Sequence, residues 1–180
     1  MTFAALGLST VGQRAAAALA YVLPTPVQVA AIPAVLCGQD VWACAQTGSG
    51  KTAAFALPLV ERCVAADPEA ALKVLVLVPT RELAAQIGAA CVAYAQFAPQ
   101  LMKIVTAFGG VSMNPQMMAL RGGADILVAT SGRLLDLVEH HAVQLGRVST
   151  LVPYAFLSVT LALLLRLSIT PLENCFLAPE

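Results

Sequence analysis

Charge is what this sequence has least of. Only 11% of its 180 residues are Asp, Glu, Lys or Arg, against roughly 25% in an average soluble domain. Ten basic residues balance ten acidic ones, so no global field draws the chain to nucleic acid, and any such contact has to come from local groups. The five cysteines (Cys37, Cys44, Cys63, Cys91 and Cys175) include no C-x-x-C pair, which excludes the usual zinc and redox spacings. Reduced, buried thiols in a cytoplasmic protein are expected instead. A basic segment leading into an apolar core is missing from the N-terminus, so no signal peptide is expected. The apolar stretch Leu151 to Leu165 carries no charge but has only 15 residues, short of the ~20 needed to span a bilayer, and no stable membrane association is expected. What the chain has in plenty is apolar material, 59% of its residues, enough for the core of one domain.

The stretch Ala45-Gln46-Thr47-Gly48-Ser49-Gly50-Lys51-Thr52 stands out against that background. It matches G-x-x-x-x-G-K-[ST] except at its first position, where Ala45 replaces glycine. Gly48 and Gly50 allow a tight loop whose backbone N–H groups point inward at phosphate oxygens. Lys51 can reach the outer phosphates, and the Thr52 hydroxyl can help hold Mg²⁺. Val41-Trp42-Ala43-Cys44 before it reads as a buried strand, and Ala53 to Cys63 after it as a helix with a kink at Pro58. A strand, a glycine loop and a helix N-terminus in that order receive a polyphosphate. The site therefore predicts a nucleoside triphosphate.

Elsewhere the pattern alternates. Residues 9 to 22 read as a helix, with Thr10 and Gln13 spaced as a capping box, and a second box follows at Thr25 and Gln28, with Pro26 at the first helical position. Apolar strands are predicted at Leu72–Val78, Ile104–Phe108, Asp125–Ala129 and Val148–Val152. Helices are predicted at Arg81–Gln96, Asn114–Leu120 and Arg133–His140. Continuous apolar strands separated by helices predict an α/β domain with a mainly parallel sheet covered on both faces. Ligands of such sheets sit beyond the carboxyl ends of the strands. There this chain places its glycine loop, Pro79-Thr80-Arg81, Gly109-Gly110 and Thr130-Ser131-Gly132-Arg133, which should share one rim.

These groups, in this order, resemble the N-terminal RecA-like domain of a DEAD-box ATP-dependent RNA helicase, and the wording of Phe108 to Leu137 is most similar to bacterial members. Tyr21 to Gln28 resembles the family's Q motif, with Phe3 at the position of its upstream aromatic. Ala45 to Thr52 matches motif I, Pro79 to Ala84 motif Ia, Gly109-Gly110 the glycine pair, and Thr130 to Arg133 motif Ib. The resemblance implies a three-layer P-loop NTPase fold and ATP as ligand. ATP would be held by Phe3, Tyr21, Gln28 and Ala45 through Thr52 (Gln46, Thr47, Gly48, Ser49, Gly50 and Lys51 between them), with Mg²⁺ at Thr52. Gln28 would read the adenine edge and Phe3 would stack on the base; the spacing Thr25-x-x-Gln28 also fits a purely structural helix cap. The resemblance further implies sequence-nonspecific RNA contacts from Pro79, Thr80, Arg81, Gly109, Gly110, Thr130, Gly132 and Arg133. Glycines permit close approach, hydroxyls donate to phosphate, and arginine can bind it bidentately.

The sequence departs from the family at one end of the motif series. After the Walker B strand, Val148 to Val152, the family places Asp-Glu-Ala-Asp; here the chain reads Pro153-Tyr154-Ala155-Phe156, and only Glu173 and Glu180 remain acidic beyond it. The Ser-Ala-Thr motif and the second RecA-like domain are not in this sequence either. No complete catalytic set is expected, only Lys51 and Thr52 of motif I. The domain is read as residues 1–152, its sheet incomplete at the C-terminal end, followed by a divergent hydrophobic tail, 153–180. The tail is read first as the product of a truncated or rearranged gene, with a membrane or interface segment and a packed replacement element as alternatives. A nucleotide-dependent RNA-binding module without turnover and an inert, poorly folding fragment stand beside the helicase reading.

Overall fold

The computed structural model describes residues 1–66, 72–154 and the backbone of 174–177. A single 3-10 turn, Ala4–Leu6, leads into helices α1 (Thr10–Ala18) and α2 (Pro26–Leu36). Strand β1 (Val41–Trp42) and the glycine loop precede α3 (Lys51–Ala65). Then come β2 (Leu72–Val78), α4 (Arg81–Ala95), β3 (Ile104–Ala107), α5 (Asn114–Leu120), β4 (Ala124–Thr130), α6 (Ser131–Glu139), β5 (Thr150–Pro153) and β6 (Asn174–Leu177). The strands form one sheet in the order β1-β6-β5-β2-β4-β3, and every neighbouring pair is parallel.

Alternation along the strands builds two cores. Val74, Val76 and Val78 of β2 and Ile126 and Val128 of β4 pack with α1 to α4 on one face. Leu75 and Leu77, with Leu127 and Ala129, pack with Leu134 and Leu137 of α6 on the other. Each fully buried Val, Leu or Ile contributes ~1.5–3 kcal/mol, so this three-layer arrangement, as expected from the sequence, is where the fold's driving force lies. A buried ion pair ties the starts of β2 and β4: Lys73 Nζ lies 2.8 Å from Asp125 Oδ1, and Asp125 Oδ2 accepts from the Lys103 N–H at 2.8 Å.

Several expected boundaries shift, each for a local reason. Helix α1 ends at Ala18 rather than 22, because Ala20 takes a positive φ of 57° that closes the helix. Its N-cap is Ser9, whose hydroxyl accepts from the Val11 N–H, and Gln13 reaches the Leu8 carbonyl instead of capping Thr10. Glu61 of α3 also caps this helix, accepting from the N–H groups of Ser9 and Gly12. Helix α3 starts at Lys51, two residues early, on a left-handed Gly50, and runs through Pro58 to Ala65. The predicted buried strand Val41–Cys44 shrinks to Val41–Trp42. Trp42 is 62% exposed there, since β1 is the last strand of the sheet and its ring is uncovered.

The tail gives the sheet one strand. Cys175 of β6 pairs with Leu151, and Phe176 and Leu177 pair with Val41 and Trp42. Of Leu151 to Leu165, on which the membrane reading rested, residues 155–165 lie outside the described residues. Among the described residues no helix is long and apolar enough to cross a membrane.

Candidate functional site

Because all strands run parallel, their carboxyl ends form a single rim. In sheet order it carries the glycine loop after β1, Tyr154 after β5, Pro79–Arg81 after β2, Thr130–Arg133 after β4 and Gly109–Gly110 after β3. The groups expected on one rim are there together.

The glycine loop is built to hold something. Gly48 and Gly50 have φ of +80° and +89°, values at which any side chain is strained, so the loop's path requires glycine at both. Gly50 is the N-cap of α3, and the first N–H groups of that helix have no helical acceptor. The Ser49 hydroxyl is buried without a hydrogen-bond partner among the described residues, an unmet polar group inside the loop. Lys51 is 4% exposed; its ammonium donates to the Ala45 carbonyl at 2.6 Å, and so closes the loop on itself. Nearby, the Lys51 Nζ stands 6.0 Å from the centre of the Tyr154 ring.

Gln28 sits under this loop, 3% exposed. Its Oε1 accepts from the Thr25 N–H at 3.0 Å, which caps α2, and its Nε2 donates to the Gly50 carbonyl at 3.2 Å. The amide thus serves as the expected helix cap and as a tie to the phosphate loop. Phe3 is placed differently from a base-stacking ring: it is 6% exposed within the core, 6.4 Å from the Tyr21 ring. Tyr21 is the exposed member of the pair, its hydroxyl 3.3 Å from that of Tyr94. Burial and the Tyr21 hydroxyl together push the Tyr94 phenol well above its ordinary value.

On the other half of the rim, Pro79, Thr80 and Arg81 are exposed, and the Thr80 hydroxyl caps α4 by accepting from the Leu83 N–H. A Cβ on Gly110, whose φ is +79°, would lie 2.7 Å from Arg81 Nη1, so the arginine and the glycine pair are in direct contact. Gly132 is exposed and has open space beside it. Arg133 does not face solvent as a phosphate-binding arginine would. It is 7% exposed, with Nη1 donating to Gln116 Oε1 and Nη2 to the Val111 carbonyl, both at 2.9 Å. Gln116 in turn donates to the Phe108 carbonyl at 3.1 Å. Arg133 and Gln116 therefore brace the loop that carries Gly109 and Gly110. Gln116 was missed in the sequence because it belongs to no motif and its burial becomes visible only in the fold.

Two other features are set apart from this chemistry. A hollow of ≈ 730 Å³ opens at the opposite ends of the strands, beside Leu72, Ala124, Arg121 and His140. Among the described residues no group of three His, Cys, Asp or Glu side chains could hold a metal ion.

The family model described as DEAD/DEAH box helicase matches residues 25–153. The DEAD-box ATP-dependent RNA helicase 52A of Oryza sativa subsp. japonica is 46% identical, over 83% of this chain and 27% of its own length. The RNA helicase CrhR of Synechocystis is 41% identical, over 84% of this chain and 30% of its own length. Among solved structures, a DEAD box protein from Methanococcus jannaschii superposes with a TM-score of 0.84 at 28% identity, over 99% of this chain and 50% of that one. The chain spans less than a third of the length of these curated relatives.

Proposed function

Because this chain belongs to the DEAD/DEAH box helicase family, we propose that it binds ATP and RNA as the first RecA-like domain of an RNA helicase, without turning the nucleotide over. The observation that carries the reading is the phosphate loop at the N-terminus of α3, with a buried Ser49 hydroxyl that has no hydrogen-bond partner among the described residues and a lysine whose ammonium is held by a backbone carbonyl. A triphosphate would accept from the loop and helix N–H groups and from Ser49, and would draw Lys51 off Ala45. Adenine would lie over the Q-motif segment, with Gln28 contributing its remaining amide N–H and lone pair, and with the exposed Tyr21 ring beside it.

RNA would cross the other half of the rim. Thr80, Thr130 and the glycines at 109, 110 and 132 allow close backbone approach, and Arg81 is the exposed guanidinium for phosphate. Such contacts fix position without reading bases. Arg133 acts from behind, by holding the glycine-pair loop in place.

Magnesium fits this site poorly. The hydroxyl of Thr52 is a single donor, and where β5 ends the chain offers the Tyr154 ring rather than a carboxylate. Hydrolysis needs groups that orient water and neutralise developing charge, and residues 153–180 bring only Glu173 and Glu180. The functional domain is taken as residues 1–152, acting in the cytoplasm, with β6 from the tail completing its sheet.

Anisotropy of a labelled single-stranded RNA with and without ATP, run beside a phosphate-release assay, tests this reading. RNA binding that strengthens with ATP, with no RNA-stimulated phosphate release, is expected. Phosphate release that RNA stimulates and Lys51→Ala abolishes would overturn the absence of turnover; no RNA binding in either nucleotide state would overturn the RNA half.

A further inference from the structure

Lys51 is the one basic residue of the phosphate loop. Among the described residues no carboxylate pairs with it; the ion pairs Lys73–Asp125 and Arg133–Asp136 lie elsewhere. Glu82, on the same rim, is fully exposed at the start of α4, where its own N–H and the Thr80 hydroxyl hold its carboxyl below the ordinary range. The Lys51 ammonium is instead enclosed by the Ala45 carbonyl and the face of Tyr154.

Tyr154 is held firmly in that place. Its N–H donates to the Leu77 carbonyl at 2.8 Å, which continues the β5–β2 ladder one residue past the strand. Its ring meets Phe55 of α3 edge-on, with centroids 6.0 Å apart and planes at 61°. The residue is 8% exposed. Between α3 and the loop, an aromatic wall stands at the strand end, at the outer edge of cation–π range.

We propose that Tyr154 makes this a phosphate site that takes its polyphosphate without a divalent cation. The inference rests on the nucleotide-site reading above and narrows its ligand to the metal-free form. A carboxylate at a strand end beside a phosphate loop would repel a bound triphosphate unless a cation lay between them. An uncharged ring imposes no such repulsion, and a bound polyphosphate becomes the first formal counter-charge that Lys51 meets. Among the described residues the Thr52 hydroxyl is the one loop side chain that a cation on the phosphates could bridge to, and the strand end beside it carries the Tyr154 ring.

Calorimetric titration of the whole chain with ATP, GTP and inorganic tripolyphosphate, each in Mg²⁺ and in EDTA, tests this. For the wild-type chain, dissociation constants for ATP in the two media should agree within about threefold. Tyr154→Asp should acquire cation dependence, with EDTA weakening ATP by about tenfold or more as the new carboxylate opposes the phosphates. Tyr154→Asn, which loses the ring without adding charge, should bind more weakly but remain indifferent to Mg²⁺. Wild-type binding that collapses in EDTA overturns the proposal whether or not either variant folds, and leaves the nucleotide reading standing. Equal Mg²⁺ responses from folded Asp and Asn variants also overturn it. Tripolyphosphate binding in EDTA without any preference for ATP over GTP supports the proposal while removing the adenine reading. Failure of all three ligands in both media sinks both.

Discussion

Gln28 Nε2 donates to the Gly50 carbonyl across 3.2 Å, while Gln28 Oε1 accepts from Thr25 N–H at 3.0 Å. One buried amide thus fixes the start of α2 and the end of the phosphate loop. Gln28→Glu keeps the acceptor that caps the helix but turns the donor to Gly50 into a buried carboxylate oxygen facing that carbonyl, so it should lower the melting temperature and weaken ATP binding. Gln28→Ala removes both and should also lose ~0.5–2 kcal/mol of stability, the usual worth of a cap. Thermal melts read beside ATP and GTP titrations check both. Equal nucleotide affinity in wild type and Gln28→Glu would show the Gly50 contact to be irrelevant to binding.

Arg81 and Arg133 carry the same charge, yet only Arg81 faces the proposed RNA path. For a single strand, log K falls with log salt at a slope of about −0.7 per phosphate neutralised. Arg81→Ala should therefore make the salt slope of RNA binding shallower by about that amount. Arg133→Ala should weaken RNA at every salt concentration with an unchanged slope, because it loosens the Gly109–Gly110 loop rather than removing a phosphate contact. Arg133→Lys should not rescue it, since one ammonium cannot reproduce the fork to Gln116 and Val111. A shallower slope for Arg133→Ala would return that residue to direct contact.

Strand β1 has β6 as its ladder partner among the described residues. Deleting residues 155–180 should free β1, lower the melting temperature and weaken ATP through the loop that β1 positions. A shortened chain with full stability and affinity would make the tail dispensable, as an unselected appendage should be.

Burial pushes the thiols of Cys63 and Cys91 from the ordinary value of 9.0 up to about 12. For Cys63 the neighbouring Asp125 adds to the same shift. A folded-state value above the unfolded one means the native chain holds protons that the unfolded chain has released once pH passes 9. Stability from these groups is thus intact below that pH and falls as pH climbs toward about 12. Denaturation midpoints measured across that window should decline, and less so in Cys91→Ala than in wild type once its own packing loss is set as the baseline. In the native state a thiol reagent at pH 8 should modify exposed Cys37 and Cys44 well before Cys63 or Cys91.

Much of this was legible beforehand, and the reasons are physical. β2 and α5 fall where apolar runs and turn residues put them, since a strand buried on both faces has one composition that fits. The rim followed from parallel topology alone. What stayed hidden depended on contacts between distant segments. Glu61 caps a helix some fifty positions earlier, Arg133 turns inward because Gln116 is there to meet it, and β6 pairs with strands on both sides. The expectation of a buried Trp42 failed because hydrophobicity does not reveal which strand ends the sheet. Cys37 and Cys44 are exposed for a related reason: one lies at a helix end and the other in the loop.

Titration of the whole chain with ATP, for wild type and Lys51→Ala together, bears most directly on the central claim. Charged hydrogen bonds are worth roughly 1.5–3 kcal/mol, so the substitution should weaken ATP by on the order of ten- to a hundredfold. Its circular dichroism and melting temperature should stay near wild type, because among the described residues the Lys51 ammonium hydrogen-bonds to Ala45 of its own loop. An unchanged dissociation constant in a folded Lys51→Ala protein would contradict the assignment of this loop as a nucleotide site.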